Sequence, residues 1–192
     1  GLTTMGALGK DRDLLELDRH LGRTEPDLRR ACRPFGENCG FTIAEGAQFA
    51  VLMDDALAVE LGAAVHGAVT DVQVHADGYK KSISSPGIGN YVTFAKAVAR
   101  AMRNIGEEPI RRRSFVQAHG TGTPQNRTSE SQILNRVAGA FGIEDWPVAA
   151  IKCFVGHTMA AAGGDQLAST LGVFERGILP GIATIDEVAA DV

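Results

Sequence analysis

Two histidines each follow a short apolar stretch and stand beside a glycine, and they are the residues best placed for chemistry. His119 follows residues 116–118 and precedes Gly120, and His157 follows Gly156. A glycine beside a functional side chain lets a ligand or another backbone approach closely. A neutral imidazole has one N–H donor and titrates at about pH 6.5, so two imidazoles aimed at one point can stabilise an oxyanion or move a proton. The alternative is that each histidine is an ordinary loop residue with satisfied hydrogen bonds, and spacing alone leaves that open.

A lysine and a glutamate lie near these histidines along the chain. Lys152 precedes His157 by five residues, and Glu130 follows His119 by eleven. If folding buries both beside the histidines, the ammonium disfavours imidazolium, while the carboxylate keeps the lysine charged in an apolar site. The alternative is a surface lysine and a surface glutamate on a helix.

The three cysteines are Cys32, Cys39 and Cys153. They are too few and too irregularly spaced for a disulfide framework, and they contain no CxxC pair, so we expect reduced thiols and no metal. A zinc site made of His119, Cys153 and His157 remains an alternative.

Composition narrows the class of protein. The 192 residues are 44% hydrophobic and 22% charged with a net charge of −4, which predicts a globular protein and no global attraction to nucleic acid. No apolar run approaches the roughly 18 residues of a membrane span, and the first residues do not resemble a signal peptide. We therefore expect a cytoplasmic protein without a membrane-spanning segment, with residues 1–192 forming a single unit.

The histidines must be positioned by the elements around them, which alternate between strand and helix. The predicted elements are, in order, a surface helix and loop over 1–32, a buried strand region over 41–53, a helix over 54–61, a strand over 65–75, a helix over 91–105, a strand over 114–118, a helix over 128–141 capped by Thr128 or Ser129, a strand over 148–151, a loop over 152–157, a helix over 163–176 and an extended end over 178–192. This order predicts an α/β layered domain with its chemistry at the strand ends.

Four motifs resemble those of the β-ketoacyl synthases in the thiolase superfamily. Residues 119–124 and 151–163 resemble the family's two histidine motifs, and residues 33–35 and 40–47 resemble its arginine-proline-phenylalanine segment and glutamate-glycine turn. The four occur in the family's order, which is far more specific than any one of them. The resemblance implies a thiolase-like layered fold, a mixed sheet with helices packed on it, of which this chain would hold an incomplete, carboxyl-terminal portion.

The resemblance also implies an activity and roles for individual residues. The activity is decarboxylative Claisen condensation of an acyl thioester with malonyl-acyl carrier protein, in fatty-acid or polyketide synthesis. His119 and His157 match the pair that supports decarboxylation and stabilises the enolate. Lys152 matches the family's lysine and Glu130 the acid that pairs with it, while Thr121 and Thr123 match the threonines that bind the pantetheine arm. No cofactor is implied, because the substrates ride on the phosphopantetheine of acyl carrier protein or on CoA.

The chain departs from the family's pattern at its nucleophile. The family's catalytic cysteine precedes the arginine-proline-phenylalanine segment, and none of the three cysteines matches it. After Pro124, residues 125–127 replace a typical glycine-aspartate pair. We therefore expect the cysteine to lie outside this chain, the chain alone to be inactive, and the partners to be acyl carrier protein, the missing amino-terminal half and, when intact, a second copy in a homodimer. The alternative is a non-catalytic subunit that pairs with a catalytic partner, although such a subunit would not need Lys152 and both histidines.

Overall fold

The computed structural model describes residues 7–77 and 87–192. In that part of the chain the elements are α1 (Asp11–His20), α2 (Asp55–Glu60), α3 (Ile88–Ile105), α4 (Glu107–Arg113), β1 (Val116–Gln117), α5 (Pro124–Phe141), β2 (Val148–Ala149), α6 (Lys152–Val155) and α7 (Ala162–Arg176), with 3-10 turns at Leu28–Arg30 and Met159–Ala161. None of the helices described is both long and apolar enough to cross a bilayer. The order β1, α5, β2, α7 has the predicted alternation of strand and helix.

The two strands place the histidine motifs at one edge. β1 and β2 pair in parallel, with Val116 opposite Val148 and Gln117 opposite Ala149. Parallel neighbours need a long crossover connection, which α5 provides. Because parallel strands have their carboxyl ends on the same side, the segment that carries His119 and the segment that follows β2 leave the sheet together.

A helical core supports this pair of strands from the side. Val98 and Met102 of α3 are buried against Ile110 of α4, Val137 of α5 and Ile143. The spacing of three and four residues along α3 is the spacing that puts apolar side chains on one helical face. Burying such a side chain contributes about 1.5–3 kcal/mol, so this cluster holds α3, α4 and α5 together.

A smaller core cluster lies directly under the site. Phe35 is buried against Ala118 and Ala150, which follow the ends of β1 and β2. Alanine at both positions leaves room for the phenyl ring. The phenylalanine of the 33–35 motif thus packs beneath the residues that lead into the two histidine motifs.

The arginine of the same motif anchors α1. Asp18, which is fully buried, accepts hydrogen bonds from Arg33 at 2.6 Å, Arg23 at 3.0 Å and the Asp27 N–H at 2.8 Å. Burial acts to raise the pKa of Asp18, but the hydrogen bonds from Asp27 and Arg33 outweigh it and lower the pKa. The predicted helix in the 1–32 segment is α1, and residues 1–6 of that segment lie outside the described residues.

The strand predicted over 65–75 is wrong, and the strand region predicted over 41–53 is reduced to single bridges at Phe41 and Ile43. A strand requires a neighbour to take its backbone hydrogen bonds. Within 7–77 and 87–192 no strand pairs with residues 65–75. Phe41 is buried, but most of the apolar side chains further along both segments stay exposed, with Phe49 at 97% and Val74 at 85%.

Two local boundaries also differ from prediction. The cap predicted at Thr128 or Ser129 is wrong: α5 begins at Pro124, because Thr123 Oγ1 accepts the Asn126 N–H at 3.3 Å and proline suits the first helical turn. The loop predicted over 152–157 contains the short helix α6. β1 and β2 are shorter than predicted because their ladder covers only two residue pairs.

Candidate active site

The structure brings the two predicted histidines together. The ring centroids of His119 and His157 are 5.5 Å apart, with the rings edge to face at 81°. The phenyl ring of Phe41 lies on the other side of His157, at 5.1 Å. His119 is exposed, so a ligand can reach the pair from solvent.

The backbone of His119 is held by Glu130 of α5. One carboxylate oxygen accepts the His119 N–H at 2.7 Å, and the other accepts the Gly120 N–H at 2.8 Å. Gly120 has φ of 53°, a left-handed conformation that favours glycine, and a Cβ there would lie 2.6 Å from Ala150. The sharp turn after His119 is therefore fixed both by the carboxylate and by the close approach of the two strand ends.

Lys152 completes this arrangement from the end of β2. Its side chain is 1% exposed, and Nζ donates to the His119 carbonyl oxygen at 2.6 Å. Among the residues that the structure describes, no direct ion pair joins Lys152 to Glu130, whose two carboxylate oxygens accept backbone N–H groups. The charge of Glu130 nevertheless acts to raise the pKa of Lys152, and the predicted pairing of the two stays a prediction. Glu130 accepts the His119 N–H and Lys152 donates to the His119 carbonyl, so the two side chains bind the two polar backbone groups of this residue.

His157 is held by the 40–47 motif. Its N–H donates to the Thr42 carbonyl at 2.7 Å, and its carbonyl accepts the Ala44 N–H at 3.1 Å. Gly156 has φ of 71°, and a Cβ there would lie 2.9 Å from Ala44. The segment 42–44 can pair with His157 only because its neighbour is glycine.

A backbone N–H fixes the tautomer of His157. Met159 has φ of 57°, and its N–H donates to Nδ1 of His157 at 3.0 Å. Nδ1 is therefore an acceptor, so the proton of the neutral ring lies on Nε2. His157 presents a fixed N–H donor from that atom.

The electrostatics favour two neutral rings. Burial, assisted by the positive charge of Lys152, lowers the pKa of His119 from 6.5 to about 4. Burial, Lys152 and then His119 lower the pKa of His157. Burial also lowers the pKa of Lys152, and the charge of Glu130 opposes that shift. Both imidazoles are thus neutral at pH 7, beside a buried cation.

The two predicted pantetheine threonines lie in the loop between β1 and α5. Thr121 and Thr123 are buried, and their hydroxyl oxygens are 3.0 Å apart. Of their two hydroxyl protons, one joins the pair, and the other is available to a ligand or a neighbouring acceptor. Their role with substrate stays a prediction.

The three thiols do not form a reactive centre. Burial raises the pKa of Cys32 and of Cys39, and it raises the pKa of Cys153 to about 11. A thiol in such surroundings is a poor nucleophile at neutral pH. In the described ranges no three histidine, cysteine or acidic side chains are grouped as metal ligands, so Cys153 does not join His119 and His157 in the alternative zinc site.

Two residues of the site were missed from the sequence. One is Met159, whose backbone conformation carries no sequence signal. The other is Asn126, whose Nδ2 donates to Glu130 at 2.8 Å. Asn126 precedes Glu130 by four residues, a helical spacing at which side chains meet, so that contact could have been anticipated had the helix been started at Pro124.

Removing the Asn126 amide should loosen the His119 turn. We expect Asn126→Ala to weaken the hold of Glu130 on the His119 and Gly120 N–H groups by about 1 kcal/mol, which corresponds to about fivefold faster amide exchange there. Hydrogen–deuterium exchange of the peptide that contains both residues measures this. Gln125→Ala, at the exposed position one residue earlier, is the control, and equal exchange in the two variants would contradict the prediction.

Taken together, the site offers fixed donors to a negative oxygen. The His157 ring is held by a backbone N–H at Nδ1, and the backbone of His119 is held by Glu130 and Lys152. Preorganised donors of this kind stabilise charge that develops on oxygen during a reaction. A nucleophile, however, is not among the groups gathered here.

Comparisons with known proteins agree with this geometry. Residues 66–186 match the family model described as beta-ketoacyl synthase, C-terminal domain. The chain is 60% identical over its whole length to beta-ketoacyl-acyl-carrier-protein synthase FabY of Pseudomonas aeruginosa, covering 30% of that protein. It is 30% identical over 161 residues to actinorhodin polyketide putative beta-ketoacyl synthase 1 of Streptomyces coelicolor, with 83% of this chain and 33% of the relative covered. It is 29% identical over 168 residues to 3-oxoacyl-acyl-carrier-protein synthase 2 of Synechocystis, with 85% of this chain and 39% of the relative covered.

Two solved structures are similar to the whole chain. The crystal structure of the noncanonical ketosynthase FabY from P. aeruginosa matches with a TM-score of 0.95 at 60% identity, over 100% of this chain and 30% of that one. A type II polyketide ketosynthase, in complex with its acyl-carrier protein and bound to the hexaketide, matches with a TM-score of 0.75 at 22% identity, over 99% and 43%. The second likeness concerns the fold alone. The chain thus spans well under half the length of the relatives that it matches.

Proposed function

We propose that this chain, which belongs to the β-ketoacyl synthase family through its carboxyl-terminal domain, supplies the histidine half of an enzyme that condenses an acyl thioester with malonyl-acyl carrier protein. The observation that carries the proposal is the pair of neutral imidazoles 5.5 Å apart, with a buried lysine behind them. Fixed donors lower the barrier of a reaction that develops negative charge on oxygen. The reaction class is decarboxylative Claisen condensation, in fatty-acid or polyketide synthesis.

The condensation consists of three bond changes. A cysteine thiolate attacks the acyl thioester, forms an acyl-enzyme thioester and releases the carrier thiol. The malonyl thioester loses its free carboxylate as CO₂, and the electron pair of the broken C–C bond leaves an enolate with its charge on the thioester oxygen. The enolate carbon attacks the acyl-enzyme carbonyl, the cysteine leaves as thiolate, and a β-ketoacyl thioester results.

The side chains of this chain act in the second change. His157 donates from Nε2–H and His119 supports the same oxygen, so that the enolate forms beside two fixed groups. Lys152 and Glu130 act through the His119 backbone, which they hold in place. Thr121 and Thr123 offer the remaining hydroxyl proton to the pantetheine arm that delivers the malonyl group.

The nucleophile must come from the rest of the enzyme. None of the three cysteines has the lowered pKa of an activated thiol, and catalysis by acyl transfer requires a thiolate. We propose that an amino-terminal half of the domain carries this cysteine and places it opposite the histidines.

The surface of the chain supports a missing half. Its accessible area is 12,234 Å², whereas an independent domain of 20.2 kDa would expose about 8,700 Å². The segments 49–53 and 65–74 contribute to this surface, since their valines, Leu52 and Phe49 are exposed. Strands contributed by the amino-terminal half would pair with these segments and cover them.

Acyl carrier protein is the proposed partner that delivers substrate. One structural neighbour was solved as a complex of a ketosynthase with its acyl-carrier protein. A carrier-borne thioester fits a site that is open to solvent on the side of His119. The homodimer remains an expectation from the family resemblance, and a cytoplasmic location remains an expectation from the sequence.

The isolated 192-residue chain tests this division of labour. We expect no self-acylation from acyl-CoA and no elongation of malonyl-acyl carrier protein, because no activated thiol is present. Mass spectrometry of the incubated chain detects an acyl adduct directly. The same chain with Cys32, Cys39 and Cys153 changed to serine is the control.

Two outcomes would count against the proposal. An acyl adduct that disappears in the serine control would mean that one of these cysteines is the nucleophile after all. A full-length enzyme that neither acylates nor releases CO₂ from malonyl-acyl carrier protein would favour the non-catalytic subunit instead.

A further inference from the structure

One side chain of α7 reaches across to the strand that leads into His119. Nε2 of Gln166 lies 2.5 Å from the Ala118 carbonyl oxygen and 3.2 Å from that of Gln117. In return, Nε2 of Gln117 lies 3.5 Å from the Gln166 carbonyl oxygen. These contacts tie the end of β1 to the first turns of α7.

The contacts matter because the ladder of β1 ends there. The Ala118 N–H still donates to Ala149 at 2.8 Å, but beyond it the backbone is held by side chains. Glu130 accepts a hydrogen bond from the His119 N–H, and Lys152 donates one to the His119 carbonyl. Gln166 donates to the carbonyls of Gln117 and Ala118, the two residues before His119. Side chains therefore bind the backbone before His119, at His119 itself and, through the Gly120 N–H, after it.

The same helix is rigidly connected to His157. The Thr158 hydroxyl donates to Asp165, the neighbour of Gln166 on α7, and Gln48 donates to the same carboxylate. The 3-10 turn Met159–Ala161 runs directly into α7, and Met159 holds Nδ1 of His157. Gln166 and His157 therefore belong to one unit, and the Gln166 side chain joins this unit to the His119 strand through two backbone carbonyls.

We propose that Gln166 is a positioning residue that sets the distance and angle between the two imidazoles by clamping the β1 end to the His157 unit. The proposal rests on the proposed function for its catalytic consequence, but the clamp itself is a matter of geometry. The amide is suited to the task, because its NH₂ group offers two donors to two neighbouring carbonyls. Its side chain acts only through backbone and has no contact with either ring.

The test separates the effect of the amide N–H donors of Gln166 from the effect of its side-chain length, in the full-length enzyme. Gln166→Met keeps the length of the side chain and removes both donors, whereas Gln166→Asn keeps the donors and shortens the reach. Both should lower kcat for CO₂ release from malonyl-acyl carrier protein by about tenfold or more, since a misplacement of about 1 Å can cost about 10²-fold. KM should stay unchanged, because Gln166 does not face the pantetheine threonines.

The matched control lies one turn further along α7. Thr170→Val removes the hydrogen bond from Thr170 Oγ1 to the Gln166 carbonyl at 2.8 Å and leaves the clamp in place. We expect Thr170→Val to retain the wild-type kcat. A side chain that merely fills space would instead leave Gln166→Met active and impair only Gln166→Asn, and that result would overturn the proposal.

A titration of the histidine rings separates this proposal from the proposed function. Loosening of the β1 end should expose His119 further and so reduce the burial that lowers its pKa, which should rise from about 4 toward 6.5 in Gln166→Met, as NMR of the imidazole protons would report. If the wild type releases no CO₂ but the pKa of His119 rises in Gln166→Met, the clamp stands and the proposed function falls. If the wild type is active and Gln166→Met matches Thr170→Val in both kcat and the pKa of His119, the clamp alone is overturned.

Discussion

Replacing His157 by alanine in the full-length enzyme is expected to lower the rate of malonyl decarboxylation by about 10²-fold or more, the loss typical of removing one preorganised donor from an oxyanion site. His119→Ala should cost a similar factor. The reason is geometric: Nε2–H of His157 is fixed by the Met159 N–H, and the His119 ring is fixed through its backbone by Glu130 and Lys152. Release of CO₂ from malonyl-acyl carrier protein measures the effect without requiring condensation.

The double variant tests whether the two rings act on one oxygen. Groups that act as a unit show strongly non-additive effects, so His119→Ala combined with His157→Ala should lose little more than either single variant. His20→Ala, an exposed histidine at the end of α1, is the control and should be fully active. Decarboxylation that survives in either single variant would remove that histidine from the mechanism.

The thiolase-like layered fold was predicted from motifs and is confirmed by the structural and family matches. Where local pattern sufficed, single elements were also predicted well. α3 has the apolar face that its spacing indicates, and α7 ends at Gly177, which has left-handed φ. Both features depend on side chains a few residues apart, which the sequence displays directly.

The strand predicted over 65–75 is wrong because its formation depends on residues far away in the chain. Alternation of apolar and polar residues identifies side chains that need cover, but whether a strand forms depends on a partner far away in the chain. Val72 and Val74 are exposed in this structure, which agrees with the need for cover and not with a formed strand. The local pattern thus identified side chains that need cover, but it did not establish whether a strand forms.

In the site, too, some contacts could be predicted from the sequence and others could not. That His119 and Lys152 meet follows from parallel strands, whose carboxyl ends lie together. The hydrogen bonds of Glu130 could not be predicted in the same way, because its carboxylate accepts the backbone N–H groups of His119 and Gly120. Backbone conformation decided the remaining contacts, as at Met159, and motif spacing does not encode it.

Lys152→Met should change the pH dependence of decarboxylation more than any other substitution that leaves both histidines in place. The charge of Lys152, after burial, is a cause of the lowered pKa of both rings, so its removal should raise both pKa values. Protonation of His157 at Nδ1 turns an acceptor into a donor facing the Met159 N–H, and the ring loses its alignment. Each unit by which the pKa rises costs up to about tenfold of the neutral form on the acid side.

The direction of the pH effect follows from these shifts of the histidine pKa values. In Lys152→Met the decline of activity on the acid side should begin at higher pH than in the wild type, whose two histidine pKa values are lowered, so that the loss is greater at about pH 6 than at about pH 8. Lys96→Met, at an exposed lysine of α3, is the control and should keep the wild-type profile. A methionine of similar volume can replace a buried lysine without unfolding the core, so folding and pH dependence are separable. Profiles that differ only by a constant factor would show that the lysine acts through its hydrogen bond to the His119 carbonyl and not through its charge.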